Sequence, residues 1–248
     1  MTSLTKLLIV SIYDANFFLK MKRKTLSVFS AALIFLIVTS CRISSSAATP
    51  EDLGKGNGMD VIAIGDSWIS YDTSTGIQDS LRQVSGQPYR GYGVGGTQLL
   101  NGQIPSQYAQ AKRENPNIKT VVMTGGGNDL LRSNARVDLS TAGPFARMRI
   151  DQIADRLTSL WTEMGKDGVR DIIYVFYSRG GGIAASVDYG TTKIQPICQS
   201  LKPAHCHWID SDVTLHMMLR DGIHPTDAGF NALAQVIYDL MGKEGMRR

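Results

Sequence analysis

Short apolar runs that end at glycine or polar turns are the feature that most constrains the fold of this chain. The runs Asp60–Gly65, Thr120–Thr124 and Asp171–Tyr177 are rich in β-branched and other apolar residues. They are short, and turn-forming residues follow them, so they are predicted to be buried strands. Two weaker strand candidates are Tyr89–Tyr92 and His207–Asp210.

Helical patterns lie between these runs. Ile77, Leu81 and Val84 recur at spacings of four and three, and Phe145–Met164 and Phe230–Met241 carry longer apolar stripes of the same period. Alternating strands and helices predict a parallel sheet covered by helices on both faces. Because active sites of such sheets form beyond the carboxyl ends of the strands, the residues that follow the strands are the candidates for function.

The amino-terminal 40 residues account for the net charge of the chain. The 248 residues hold 26 Lys and Arg against 22 Asp and Glu, a formal charge of +4. Residues 1–40 contribute five basic side chains and one acidic one, and residues 41–248 hold 21 of each sign. The balanced remainder disfavours a nucleic-acid partner.

A targeting segment is predicted at the amino terminus. The basic residues Lys22-Arg-Lys24 follow Met21 and precede the mostly apolar stretch Leu26–Thr39, which is shorter than the roughly 20 residues of a membrane span and suits a signal peptide. The stretch ends at Val38-Thr-Ser-Cys41, which resembles the lipobox of bacterial lipoproteins. That resemblance implies export and attachment to a membrane surface through acyl chains on Cys41. A plain secretory signal is the alternative.

The domain boundaries follow from this segment. A signal peptide that starts at Met21 is complete in itself, so Met21 is a candidate true start; a longer basic region before it is the alternative. Residues 41–58 are predicted to be a tether, because they are rich in Ser, Ala and Gly. One folded domain is predicted for residues 59–248.

Four short blocks follow predicted strands or precede the last helix. They are Gly65–Ser67, Gly95–Gly96, Gly127–Asp129, and the pair Asp221 and His224. In this order they resemble the SGNH, or GDSL-type, hydrolase family over most of residues 60–240. The resemblance implies a flavodoxin-like, three-layer α/β/α fold. It also implies ester hydrolysis through a serine nucleophile, with no cofactor or metal.

The residue types suit that chemistry. A serine hydroxyl such as that of Ser67 is a weak nucleophile and needs a base within hydrogen-bond reach. The imidazole of His224 can accept and return a proton near neutral pH. Asp221, three residues earlier, can orient the ring and stabilise its charged form. Asp66 and Asp129 are expected to brace the turns.

An oxyanion hole completes the predicted catalytic residues. The resemblance assigns its donors to the backbone N–H groups of Ser67 and Gly96 and to the side-chain amide of Asn128. Glycine suits position 96 because a side chain would keep the backbone away from the substrate. Gly95 is the alternative for that role.

Candidate substrate-binding residues are less well defined. Trp68 stands where many members of the family carry Leu, so it is expected to shape the pocket beside the nucleophile. Tyr71, Tyr177 and Arg179 are further candidates. The glycine-rich segment Arg179–Gly190 is interpreted as a mobile substrate-binding loop or as a plain surface connection.

Two other classes of site are disfavoured. The spacing Gly91-x-Gly-x-x-Gly96 fits a dinucleotide-binding pattern, but it follows the second strand and Glu114 lies in an apparent helix end, so the required context is missing. A metal-dependent phosphoesterase is disfavoured because no paired-histidine or His-x-Asp spacing supports a metal site.

Export would allow two of the cysteines to form a disulfide. Cys198 and Cys206 are predicted to form a disulfide that closes a small loop, and free thiols are the alternative. The neighbouring histidines His205 and His207 are therefore not taken as metal ligands.

These features predict an exported, monomeric serine ester hydrolase of the cell envelope, or a secreted one. Its substrate is expected to be a carboxylic ester, a lipid acyl group or a carbohydrate O-acetyl group, presented by a small molecule or a glycan. Thioesterase or lysophospholipase activity is one alternative. A non-catalytic ligand-binding lipoprotein on the same fold is another.

Overall fold

A parallel sheet forms the centre of the domain. The computed structural model describes residues 60–71 and 75–247; the predicted leader, the tether and Cys41 lie outside them. The strands are β1 (Val61–Ile64), β2 (Arg90–Gly91), β3 (Thr120–Met123), β4 (Asp171–Phe176) and β5 (His205–Asp210).

The strand order is β2-β1-β3-β4-β5, and every pair is parallel. This is the flavodoxin-like order, in which the chain changes direction across the sheet between β1 and β3. All five predicted strands are confirmed, although β2 spans only two residues and β5 begins at His205, two residues earlier than predicted.

Helices follow the strands, and the periodic patterns predict three of them, those that begin near Ile77, Phe145 and Phe230. They are α1 (Ile77–Ser85), α2 (Gln103–Glu114), α3 (Gly127–Leu131), α4 (Pro144–Lys166), α5 (Ala184–Ser200) and α6 (Asp227–Lys243), with short 3₁₀ helices at Asn134–Thr141 and Ser211–Thr214. Pro144 occupies the first turn of α4, where its missing N–H costs nothing. The Thr226 hydroxyl caps α6 by accepting the N–H of Gly229.

Strand residues alternate between two cores, one on each face of the sheet. Ile62 and Ile64 of β1 join a core with residues of α2, α4 and α5. Val61 and Ala63 join the opposite core with residues of α1 and α6. Because successive strand residues point to opposite faces, both faces are buried, and the predicted three-layer α/β/α fold is confirmed.

The prediction of a loop over Arg179–Gly190 is wrong for its second half, because α5 begins at Ala184. Gly190 lies inside this helix, where a Cβ atom would come within 2.7 Å of the Phe176 ring. The glycine therefore allows α5 to pack closely on β4, and it does not indicate a mobile loop.

The predicted disulfide between Cys198 and Cys206 is confirmed and joins α5 to β5. None of the helices in the described part of the chain has the length and hydropathy of a membrane span.

Candidate active site

The four sequence blocks meet at the carboxyl edge of the sheet. Ser67 follows β1, and Asn128 lies in α3, which follows β3. These two strands flank the point where the strand order reverses, and their ends leave a crevice there. His224 reaches the same crevice from the turn before α6. Asn128 and His224 therefore line one cavity with Ser67.

Ser67, His224 and Asp221 form a continuous hydrogen-bonded chain. The Ser67 Oγ lies 2.8 Å from His224 Nε2, and His224 Nδ1 lies 2.6 Å from Asp221 Oδ2. The second carboxylate oxygen of Asp221 accepts the backbone N–H groups of Ile223 and His224, at 2.9 and 3.0 Å. One tight turn therefore presents both the aspartate and the histidine, as their spacing predicts.

These contacts favour the ionised form of Asp221. Burial acts to raise the pKa of its carboxyl group, but hydrogen bonds from the His224 N–H, the His224 ring and the Ile223 N–H outweigh burial, and the pKa lies below its ordinary value. A carboxylate is therefore in place to stabilise the imidazolium that forms when His224 takes a proton.

Two aromatic side chains hold the His224 turn. The indole N–H of Trp68 donates to the carbonyl oxygen of Ile223 at 3.1 Å. The Tyr71 ring stacks on the His224 ring, with centroids 4.3 Å apart and planes inclined by 21°. Both aromatic residues also line the cavity.

Four residues that carry possible oxyanion donors line the cavity: Ser67, Gly95, Gly96 and Asn128. The N–H groups of Ser67, Gly95 and Gly96 have no acceptor within the described residues, so all three are available to an oxyanion. The Asn128 amide donates one N–H to the Thr97 carbonyl oxygen at 3.1 Å, which fixes its orientation and leaves the second N–H free. Gly96 adopts a φ of +77°, which favours glycine.

Asp66 braces the nucleophile turn. Its carboxylate accepts the Trp68 N–H at 3.2 Å, the Thr124 hydroxyl at 2.9 Å and the Tyr177 hydroxyl. Burial raises the pKa of Asp66, and these hydrogen bonds oppose the rise without cancelling it. The Tyr177 oxygen in turn accepts the N–H of Gly127 at 3.1 Å, so this side chain links the first and third blocks.

Asp129 braces the loop that follows the second block. Its two carboxylate oxygens accept the N–H groups of Leu99 and Leu100, at 2.8 and 2.9 Å. Burial raises the pKa of this carboxyl group as well. Both aspartates thus occupy structural positions, as expected from the sequence.

A cavity of about 310 Å³ opens beside Ser67. Trp68, Tyr71 and Tyr177 line it, whereas Arg179 does not. The Arg179 guanidinium instead forms ion pairs with three carboxylates. It lies 2.8 Å from Asp188 and 3.1 Å from Asp210, and it also pairs with Asp212. It therefore ties the start of α5 to the end of β5.

Sequence reasoning missed Arg132 and the apolar wall of the cavity. Arg132 lines the cavity, and a Cβ on Gly96 would come within 2.6 Å of its guanidinium. It forms no ion pair with another described residue. For Arg132 the sequence offers one signal, its position three residues after the third block, whereas the wall residues have none.

The sheet order and the two helical layers define a three-layer α/β/α domain of flavodoxin-like strand order, with the four blocks at the carboxyl edge of its sheet. No protein-family model matches the chain, and no curated protein matches its sequence. Solved structures do match it in fold. One is an acetylxylan esterase from Geobacillus stearothermophilus, at 18% identity and a TM-score of 0.53, covering 73% of this chain and 93% of that one.

Another is a structure from Desulfitobacterium hafniense DCB-2 described as a lipolytic protein of the G-D-S-L family. It is 14% identical with a TM-score of 0.55, and the match covers 73% of this chain and 98% of that one. The structures of the acetylxylan esterase include catalytic mutants at a serine, at an aspartate and at a histidine three residues after that aspartate. At these identities the likeness shows the shared fold.

Proposed function

We propose that this protein is a serine ester hydrolase that works through an acyl-enzyme. The observation that carries this proposal is the hydrogen-bonded chain from Ser67 through His224 to Asp221, placed at the opening of a cavity. Nucleophile, base and orienting carboxylate are the three parts that acyl transfer to serine needs.

The first half of the reaction forms the acyl-enzyme. The Ser67 Oγ attacks the ester carbonyl carbon, and its proton passes to His224 Nε2. The tetrahedral intermediate then collapses, the bond to the alcohol oxygen breaks, and His224 returns the proton to the departing alcohol. Asp221 stabilises the charged ring throughout.

Water completes the cycle. His224 takes a proton from a water molecule, whose oxygen attacks the acyl carbon; the carboxylic acid leaves and Ser67 regains its proton. In both halves the negative carbonyl oxygen is stabilised by the N–H groups around Ser67 and by the Asn128 amide. One such donor typically contributes about 2.7–4 kcal/mol to lowering the barrier.

Ser67→Ala tests the proposal. We expect the variant to lose turnover of a short-chain nitrophenyl ester and to lose labelling by a fluorophosphonate probe, while its circular dichroism spectrum stays unchanged. Full turnover in the variant, or an unlabelled wild-type protein, would contradict the proposed nucleophile. The second result would favour a non-catalytic ligand-binding protein on the same fold.

Hydrolysis of carbohydrate O-acetyl groups is a second candidate, favoured by the acetylxylan esterases among the structural neighbours. A panel of acetylated glycans, long-chain glycerol esters, lysophospholipids and acyl thioesters separates this activity from lipase, lysophospholipase and thioesterase activities. Release of acetate from the glycans at a higher kcat/KM than from nitrophenyl acetate would support it.

We also propose that the protein is exported and anchored through a lipid on Cys41, because the sequence before this cysteine resembles a lipobox. Acyl chains there would hold the enzyme at a membrane surface of the cell envelope. Fractionation of cells that express the wild type or Cys41→Ser tests this: release of the variant supports the anchor, and equal release of both contradicts it. N-terminal sequencing of the uncleaved Cys41→Ser precursor shows whether translation starts at Met1 or Met21.

A further inference from the structure

The cavity beside Ser67 continues into the apolar layer between the sheet and two helices. Its opening holds Ser67, His224 and Asn128, and its inner wall belongs to β4, α4, α5 and the 3₁₀ helix between α3 and α4. The apolar members of that wall include Leu139, Ile150, Ile153, Phe176, Val187 and Ile194. Each of these six side chains is at most 8% exposed.

The position of the cavity decides which part of an ester enters it. His224 must protonate the leaving alcohol, and its turn precedes α6, which packs on the opposite face of the sheet from α4 and α5. The alcohol therefore departs on the His224 side of Ser67. The alcohol is then expected in the part of the cavity that Tyr71, Ile223 and His224 line, and the acyl substituent, on the other side of the carbonyl carbon, in the apolar part next to α4 and α5.

The inner wall also offers few hydrogen-bond partners for the hydroxyl groups of a sugar. The hydroxyl groups of Tyr174 and Ser186 donate to the carbonyl oxygens of Gly125 and Leu139. Ser178, at the end of β4, is the one described lining residue of this wall whose hydroxyl is buried without a partner. A sugar ring carries several hydroxyl groups, and burying them unpaired is unfavourable.

We infer that the inner cavity binds an unbranched acyl chain of several carbons, so that the enzyme prefers such acyl esters to acetyl esters. This inference rests on the proposed ester hydrolysis and names its substrate class. An acetyl group fills little of the 310 Å³. Each further methylene that enters the cavity is expected to raise kcat/KM by about fourfold until the cavity is full.

A series of nitrophenyl esters provides the first test. We expect kcat/KM to rise from the acetyl ester through the butyryl to the hexanoyl and octanoyl esters. A maximum at the acetyl ester, with a steady fall thereafter, would overturn the acyl-chain assignment while leaving the proposed hydrolysis intact.

A substitution in the wall provides the second test. Val187→Phe places a larger side chain in the inner cavity and should lower the ratio of octanoyl to acetyl kcat/KM by about tenfold or more, because several methylenes lose their place. Val236→Phe is the matched control, since Val236 is 38% exposed on α6 and lies outside the cavity. Equal ratios in both variants would contradict the assignment.

Binding without turnover separates this inference from the proposed function. Ser67→Ala keeps the cavity and removes the nucleophile, so octanoate should raise its melting temperature more than acetate does at equal concentration. Stabilisation by octanoate supports the acyl pocket even if no ester is hydrolysed. Equal effects of the two carboxylates would overturn the pocket assignment whatever the enzyme assays show.

Discussion

The indole N–H of Trp68 donates a hydrogen bond to the carbonyl oxygen of Ile223 at 3.1 Å. This bond joins the residue after the candidate nucleophile to the residue before the candidate base. The indole is itself fixed by edge-on contacts with Tyr177 and Phe230, with ring centroids 5.3 and 6.3 Å away. The distance between Ser67 and His224 therefore depends on a side chain that takes no part in proton transfer.

Trp68→Phe tests this positioning role. Phenylalanine retains an aromatic ring in the same core but cannot donate to Ile223. One net hydrogen bond is typically about 1 kcal/mol, so we expect kcat to fall about fivefold while KM changes little. Steady-state kinetics and the melting temperature check this. If KM rises and kcat stays constant, Trp68 contacts substrate and does not act as a positioning residue.

Asp221→Asn separates the two functions of this side chain. Asparagine can keep the acceptor oxygen for the N–H groups of Ile223 and His224, so the turn should persist. Its NH₂ group, however, faces His224 Nδ1 and favours the wrong tautomer of the ring. We expect kcat to fall by about two to four orders of magnitude with an unchanged melting temperature. A loss of less than tenfold would contradict the triad.

Asn128→Ala removes the side-chain donor of the proposed oxyanion hole. Since one such donor contributes about 2.7–4 kcal/mol to the transition state, kcat should fall by about two to three orders of magnitude, with a small change in KM. The Thr97 carbonyl oxygen also loses its partner, so thermal unfolding is measured in parallel. Substitution of Gln98, whose amide donates to the Asn128 carbonyl oxygen, serves as a control for local disorder.

Local patterns predicted the parts of the fold that depend on neighbours in sequence. The apolar runs became strands, and the Asp221 and His224 pair became one turn, because strand burial and tight turns are set by a few consecutive residues. The prediction of a loop over Arg179–Gly190 is wrong in its second half because glycine occurs both in flexible loops and at close contacts between elements. In a loop it gives freedom, but at position 190 it allows a helix to approach Phe176.

The cavity wall could not be predicted in the same way. Ile150, Val187 and Ile194 look like ordinary core residues in the sequence, and they are almost fully buried. They line a cavity because three elements meet without filling the space beside Ser67, and that depends on how α4 and α5 pack on β4. The sequence likewise could not show that Arg179 would be paired with three carboxylates, one from α5, one from the end of β5 and one from the 3₁₀ helix that follows it.

The disulfide is expected to stabilise the domain. Cys198 and Cys206 are eight residues apart, and closing a loop of this size is expected to add about 2.5 kcal/mol to the free energy of unfolding. The double variant Cys198→Ala, Cys206→Ala should lose about this much in urea unfolding. Reduced wild type is the control and should lose a similar amount; an oxidised wild type no more stable than the variant would contradict the prediction.

Asp66→Asn should change how stability depends on pH. Burial raises the pKa of Asp66 in the folded protein, whereas the unfolded chain has an ordinary aspartate pKa of about 3.9. The folded state therefore holds this proton more tightly, and the resulting stability is present at low pH and lost as the pH rises through the folded pKa. Asparagine does not titrate, so the variant does not lose this stability as the pH rises. Urea unfolding of both proteins between about pH 4 and about pH 7 measures the difference. We expect the stability of Asp66→Asn relative to wild type to increase with pH, and a constant difference across the range would show that Asp66 has the same pKa folded and unfolded.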